Sequence, residues 1–99
     1  MKLTYSENAV RNIAGILRFY LEKISEEKID EIIRTILTKA EILKVSPFAG
    51  QKELFLEHLH KGHRRLVAGN YKIIYLILDD EILITDIFDA RQDPAKMKG

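Results

Sequence analysis

The length, composition and charge of the chain exclude several classes of protein. With 99 residues, 46% of them hydrophobic and none of them cysteine, the chain can bury a core but cannot form a disulfide framework or a thiolate metal site. A formal net charge of +1 gives little long-range attraction for nucleic acid, so any nucleic-acid binding would require a local basic patch.

No targeting or membrane-spanning segment is expected. Residues 1–5 (MKLTY) lack an apolar signal core, and the longest apolar run, residues 73–78, is far shorter than the roughly 20 residues that span a bilayer. We therefore expect a soluble cytoplasmic protein without a membrane partner, folded as a single domain over residues 1–99. No motif indicates a cofactor.

The first half of the sequence predicts a short strand followed by two helices. Polar and apolar residues alternate over residues 2–5, as in a strand. Ser6 stands where a helix N-cap belongs, and apolar residues then recur at three- and four-residue spacing as far as Ile24. Ser25 begins a second amphipathic helix, which Pro47 must end. The short joint between the helices predicts an antiparallel helical hairpin.

The second half predicts an antiparallel meander of three strands. Residues 48–62 have the composition of a loop, with one short extended piece at residues 54–56. The strands are predicted at residues 63–68, 71–78 and 81–88, with tight turns at Gly69-Asn70 and Asp79-Asp80. Residues 89–99 include Pro94 and few apolar residues, so this tail is expected to leave the sheet and to be partly mobile.

Pairing across the Gly69-Asn70 turn divides the strand residues into two faces. One face carries Leu66, Ala68, Ile73, Tyr75, Ile77, Ile82 and Ile84, and it is assigned to the helices. The opposite face is predicted to be open and to carry His63, Arg65, Lys72, Ile74, Leu76, Leu83 and Ile87, with Arg91 added by the same alternation. A basic cluster on a half-apolar sheet face is thus the predicted site. A one-residue bulge would exchange the two faces for the side chains of one strand.

Three segments, in their order and spacing, resemble the RelE/ParE toxin family. They are residues 47–50 (PFAG), residues 65–75 (RLVAGNYKIIY) and residues 87–94 (IFDARQDP). The resemblance implies an α+β fold in which a short N-terminal strand and a helical hairpin pack on a three-stranded antiparallel meander. It also implies a growth-inhibiting, plasmid-stabilisation-type toxin of a type II toxin–antitoxin system. A cognate antitoxin in a hetero-oligomer would be its partner.

The family uses this scaffold in two ways, and both remain open. RelE-like members cut messenger RNA on the ribosome with basic sheet residues and a C-terminal tyrosine or histidine, whereas ParE-like members inhibit DNA gyrase. Arg65, Lys72 and Arg91 match basic positions of the nuclease branch, and His63 falls where another basic residue often stands. These four residues would be catalytic if the chain is a messenger RNA endonuclease. No Tyr or His follows Arg91, and this absence favours a ParE-like inhibitor.

A third alternative is an inactive family member that retains only partner binding. If the chain is a ParE-like inhibitor or an inactive binding module, the predicted surface binds the target or the antitoxin. Alternatively, the charges of this surface are exposed to solvent and have no binding role. That surface comprises Arg65, Lys72, Ile74, Leu76, Leu83, Ile87 and Arg91. The spacing of His58, His60 and His63 matches no usual zinc site, so no metal is predicted.

Overall fold

The computed structural model, which describes residues 1–99, has one five-stranded sheet with two helices on one face. The strand order is β1-β5-β4-β3-β2, in which β1 runs parallel to β5 and all other neighbours are antiparallel. The elements in chain order are β1 (Lys2–Tyr5), α1 (Glu7–Tyr20), α2 (Glu26–Glu41), β2 (Gln51–Lys52), β3 (Arg64–Ala68), β4 (Tyr71–Ile77) and β5 (Glu81–Asp89). The α+β fold is confirmed, with β1 and β2 added at the two edges of the meander.

The two serines predicted to cap the helices do so. The Ser6 hydroxyl accepts a hydrogen bond from the Ala9 N–H at 3.1 Å, and the Ser25 hydroxyl accepts one from the Lys28 N–H at 3.3 Å. Each serine satisfies an N–H that the first helical turn cannot bond internally. Neither helix combines the length with the apolar character that a crossing of the membrane would require.

The hairpin between β3 and β4 has the predicted register. Ala68 lies opposite Tyr71, and the remaining pairs follow without a slip to Arg64 and Tyr75. Gly69 has a φ angle of +60°, whereas Asn70 has no positive φ. A positive φ at the first central residue alone is the pattern of a type II′ turn, which matches the twist of the flanking strands.

A bulge at Thr85 changes the alternation of side chains along β5. Ile84 pairs with Tyr75, but the next pair joins Asp86 to Ile74, so Thr85 is the extra residue. Beyond a one-residue bulge every side chain moves to the other face of the sheet. Ile87 therefore pairs with Ile73 and packs in the core beneath the helices. The prediction that Ile87 and Arg91 continue the open face is wrong for this reason.

The main core lies between the helices and the sheet. It joins apolar side chains of both helices to those of β3, β4 and β5, and Ile36, Leu43, Ile73, Tyr75, Ile82 and Ile84 are among its most completely buried members. Every residue that the sequence assigned to the helix-covered face lies in this core or packs against it. The three- and four-residue spacing along the helices supplies the opposing side.

A second, smaller core lies on the other face of the sheet. It consists of Leu56, Ile74, Phe88 and Met97. Leu56 comes from a 3₁₀ helix over Leu54–Leu59, where the predicted extended piece is therefore wrong. Met97 comes from the C-terminal segment, which returns to the sheet and places the Lys98 N–H 2.9 Å from Asp86 Oδ2. The prediction that this tail leaves the sheet is also wrong.

The buried hydroxyl of Tyr75 fixes the loop that precedes β2. It donates to the Pro47 carbonyl at 2.7 Å and accepts from the Gly50 N–H at 3.1 Å. A Cβ atom on Gly50 would collide with the Arg65 carbonyl oxygen and lie 2.7 Å from the Tyr75 hydroxyl. Glycine is thus required where this loop passes over β3 and β4.

Replacement of Gly69 by valine tests the hairpin turn. We expect Gly69→Val to lower the free energy of unfolding by about 1–3 kcal/mol, because a β-branched residue is strained at positive φ. Gly15→Ala is the control, since a Cβ atom there meets only Arg18 at 3.9 Å. The control should keep or raise the stability measured by urea unfolding. An unchanged stability of Gly69→Val would contradict the turn assignment.

Candidate functional site

Arg65 and Lys72 lie side by side on the face opposite the helices, as predicted, but both bind the same buried carboxylate. Arg65 Nη1 is 3.2 Å from Glu53 Oε2, and Lys72 Nζ is 2.9 Å from Glu53 Oε1. The Glu53 side chain is 1% exposed, against 25% for Arg65 and 19% for Lys72. The two cations therefore neutralise the charge of Glu53, a residue that the sequence analysis did not identify.

Further contacts of the two cations also point inward. Arg65 Nη1 donates to the Lys52 carbonyl at 2.6 Å, and Arg65 Nη2 donates to Gln51 Oε1 at 3.0 Å. Lys72 Nζ lies 5.6 Å from the centre of the Phe55 ring. A buried carboxylate is stable only when it is paired with cations and hydrogen-bonded. The bonds from Arg65 and Lys72 to Glu53 therefore connect β2 and the 3₁₀ helix after it to β3 and β4. A phosphate at this place would have to compete with Glu53.

His63 lies on the same face as Arg65 but is covered. It is 3% exposed, and neither ring nitrogen has a hydrogen-bond partner of good geometry. Burial lowers the pKa of His63 below its ordinary value, and the charge of Lys61 lowers it further. The backbone of Gly99, which lies against the ring, offsets part of this lowering. A general base must reach the proton it removes, and this imidazole faces the C-terminal segment instead.

Arg91 lies at the far end of β5, on the side of α1. Its Nε and Nη2 atoms donate to the two carboxylate oxygens of Asp89 at 2.9 and 2.7 Å, and Nη2 also donates to the Tyr20 hydroxyl at 3.1 Å. These bonds from Arg91 hold the pKa of Asp89 below its usual range and lower the pKa of Tyr20. The structure therefore does not bring Arg91 together with Arg65 and Lys72.

The predicted apolar part of the open face is smaller than expected. Ile74 is completely buried beneath the second core, and Ile87 is buried beneath the helices. Leu76 and Leu83 face each other across β4 and β5 and remain partly exposed. Only these two leucines of the predicted apolar set are accessible on the open face.

A line of apolar side chains remains accessible along α1. Val10, Leu17 and Leu21, the last of which is the C-cap of α1, are 54%, 44% and 56% exposed. All three belong to the apolar residues whose three- and four-residue spacing predicted this helix. Their spacing of seven and four residues places them along one line of the helix. This line is named the α1 stripe.

Acidic and histidine side chains form no candidate metal centre. No group of three or more His, Cys, Asp or Glu side chains is placed so that it could hold an ion.

The structure thus has a helical hairpin on a mixed sheet, cations paired with carboxylates, and a line of exposed apolar side chains along α1. The family described as "ParE toxin of type II toxin-antitoxin system, parDE" matches residues 3–94. The chain therefore belongs to the ParE toxin family of type II toxin–antitoxin systems. The resemblance inferred from the sequence is confirmed.

A solved structure shows the same fold. It is described as "Chromosomal ParDE TA system from P. aeruginosa", and it superposes with a TM-score of 0.76 over 90% of this chain and 95% of that chain. The sequence identity is 19%, so the likeness concerns the fold alone. The curated proteins include no significant match.

The buried state of His63 predicts a pH dependence of stability. The pKa of this imidazole is lower in the folded chain than the 6.5 of an ordinary histidine, so the unfolded chain takes up a proton first as the pH falls. The contribution of neutral His63 to the free energy of unfolding is therefore fully present above pH 6.5 and decreases as the pH falls below that value. From about pH 7.5 to about pH 5.5, we expect the free energy of unfolding to fall and His63 to account for part of this fall, at a rate that cannot exceed about 1.4 kcal/mol per pH unit for one proton.

Urea unfolding at both pH values measures this loss. His63→Gln should show a smaller decrease than the wild type, whereas His58→Gln, which changes an exposed histidine, should decrease as the wild type does. Equal decreases in the wild type and both variants would show that His63 is not held neutral.

Proposed function

We propose that the chain is the toxin of a type II toxin–antitoxin pair and that it inhibits growth by binding DNA gyrase, without cleaving messenger RNA. Family membership supports the toxin part of the proposal. The choice of gyrase over ribosome-bound message rests on one observation, the engagement of the basic residues by carboxylates. Glu53 holds Arg65 and Lys72, and Asp89 holds Arg91.

A ribonuclease must stabilise charge on phosphorus and move protons during attack on the 2′-hydroxyl. The cations that would stabilise this charge are paired with carboxylates at two separate places. His63, the one candidate base among the predicted residues, is buried beneath the C-terminal segment. Residues 92–99 contain no Tyr or His that could donate a proton to the leaving oxygen. The geometry therefore favours binding over catalysis.

The proposal includes a cognate antitoxin as partner. The similar structure is described as a ParDE toxin–antitoxin system, and we extend this pairing to the present chain as a hetero-oligomer. Three large apolar side chains aligned on one exposed helix are a typical surface for an amphipathic partner helix. We assign the α1 stripe to the antitoxin. Leu76 and Leu83, with the accessible parts of Arg65 and Lys72, remain available for contact with the target.

The target is tested with purified protein and with induced cells. If the chain acts by binding gyrase, as proposed, the purified protein should inhibit supercoiling of relaxed plasmid by gyrase. Primer extension on message from induced cells should show no cuts positioned on codons. Co-expression of the antitoxin should restore both growth and supercoiling.

Arginine variants separate the two mechanisms. If the chain were a nuclease, Arg65→Ala or Arg91→Ala would lower cleavage by about 10²-fold, as loss of a charge-stabilising donor does. Arg18→Ala, which changes an exposed arginine at the end of α1, is the control, and circular dichroism checks the fold. Codon-positioned cuts that Arg65→Ala weakens would contradict the proposal. Growth inhibition absent from the wild type and from every variant would also contradict it and would support an inactive binding module.

A further inference from the structure

Residues 94–99 fold back over the second core and are named the strap. Met97 is 7% exposed and is the one side chain of the strap that is buried. It packs in the second core with Leu56, Ile74 and Phe88. A single buried side chain therefore supplies the apolar attachment of the strap to the sheet.

Two further contacts hold the strap beyond Met97. The Lys98 N–H donates to Asp86 Oδ2 at 2.9 Å. Gly99 lies against the ring of His63, so closely that a Cβ atom on Gly99 would be 2.5 Å from Nε2. Segments held by so few contacts open locally at a much lower free energy than the whole fold requires.

The ring of His63 is an unsatisfied polar group beneath the strap. It is 3% exposed, and both of its nitrogens are buried without a hydrogen-bond partner of good geometry. Burial lowers the pKa of His63, and the charge of Lys61 lowers it further, while the backbone of Gly99 offsets part of this lowering. A buried charge without a partner costs far more than a buried neutral group. The closed strap therefore favours the neutral imidazole.

No acidic group around His63 compensates a positive charge on the ring. The Glu53 N–H bonds to the His63 carbonyl at 2.9 Å, but the Glu53 carboxylate is bound by Arg65 and Lys72. No carboxylate forms an ion pair with the ring. The remaining titratable side chains of the 3₁₀ helix, the loop after it and the strap are exposed, namely Glu57, His58, His60, Lys61, Lys96 and Lys98.

We propose that the strap is a pH-controlled cover, which opens when His63 takes up a proton and thereby uncovers the second core. Opening brings the ring into water, where its pKa returns toward the ordinary 6.5. The open form therefore binds a proton more tightly than the closed form, and a falling pH increases the open population. For one proton the change cannot exceed about tenfold per pH unit.

Opening of the strap changes the apolar surface of the face opposite the helices. It uncovers Phe88 and Leu56, which lie on the same face as the partly exposed Leu76 and Leu83. The pH thus controls how much apolar surface this face presents to a partner. The inference does not depend on the identity of the target.

The two methionines of the chain allow the opening to be measured. Hydrogen peroxide oxidises an accessible thioether to the sulfoxide, and Met97 is 7% exposed whereas Met1 is 42% exposed. We expect the oxidation rate of Met97 relative to that of Met1, measured by peptide mass spectrometry, to rise several-fold from about pH 7.5 to about pH 5.5. The upper limit of this rise is about tenfold, set by one proton with an ordinary histidine pKa in the open form.

Histidine variants connect the rise to His63. His63→Gln should show little rise, whereas His58→Gln, at an exposed position, should rise as the wild type does. Lys61→Gln, also at an exposed position, should reduce the rise because one cause of the lowered pKa is removed. Circular dichroism verifies that each variant folds, and the Lys61 variant keeps the test decisive if His63→Gln does not.

Amide hydrogen exchange separates opening of the strap from unfolding of the chain. The Lys98 N–H should lose protection as the pH falls through this range, after correction for the intrinsic exchange rate, and should do so without dependence on low urea concentrations. The amide of Ile73, in the central strand β4, should remain far better protected at every pH.

A constant ratio of the two oxidation rates in the wild type would overturn the proposal. An equal rise in the wild type, His63→Gln and Lys61→Gln would overturn it as well. Equal protection of the Lys98 and Ile73 amides would mean that the whole fold opens, and this result would also overturn it. None of these outcomes bears on gyrase inhibition, which is measured separately.

Discussion

The extra residue at Thr85 is the constraint on which the arrangement of this chain depends. Because of the bulge, each side chain of β5 after Thr85 lies on the face opposite to the one that strict alternation would give. Ile87 therefore packs in the helix-side core, and Phe88 packs in the second core. The Thr85 carbonyl, left outside the ladder, accepts bonds from Ser6 and Asn8 at the start of α1. The bulge thereby joins the first helix to the sheet and directs Arg91 toward Tyr20.

Charge satisfaction explains the positions of the basic residues on the sheet. Glu53 is buried, and an isolated buried carboxylate would be very unfavourable without paired cations. Arg65 and Lys72 supply these cations and are held in place in return. The pairing converts a set of residues that resembles a nuclease site into a support for β2 and the 3₁₀ helix after it. The apolar surfaces that the fold leaves accessible are the α1 stripe and the partly exposed Leu76 and Leu83 of the sheet.

Local signals allowed much of the fold to be predicted from the sequence, whereas the site depended on long-range geometry. Capping at Ser6 and Ser25 and the positive φ of Gly69 are properties of a few adjacent residues, and the structure has all three. The Thr85 bulge has no local signature, because neither Gly nor Pro marks it, and it reversed the assignments of Ile87 and Arg91. Glu53 and Met97 were missed because their partners lie far away in the sequence, on β3 to β5.

Nuclear Overhauser spectroscopy on a methyl-labelled chain tests the bulge, and with it the whole assignment of faces. If Thr85 is the extra residue, the Ile87 methyl groups give cross-peaks to Ile73, and the Phe88 ring gives cross-peaks to the Met97 methyl group. If β5 instead alternates without interruption, Ile87 will show cross-peaks to Met97 and Phe88 will show them to Ile73. That second pattern would return Arg91 to the face of Arg65 and Lys72 and contradict the separation of basic residues described above.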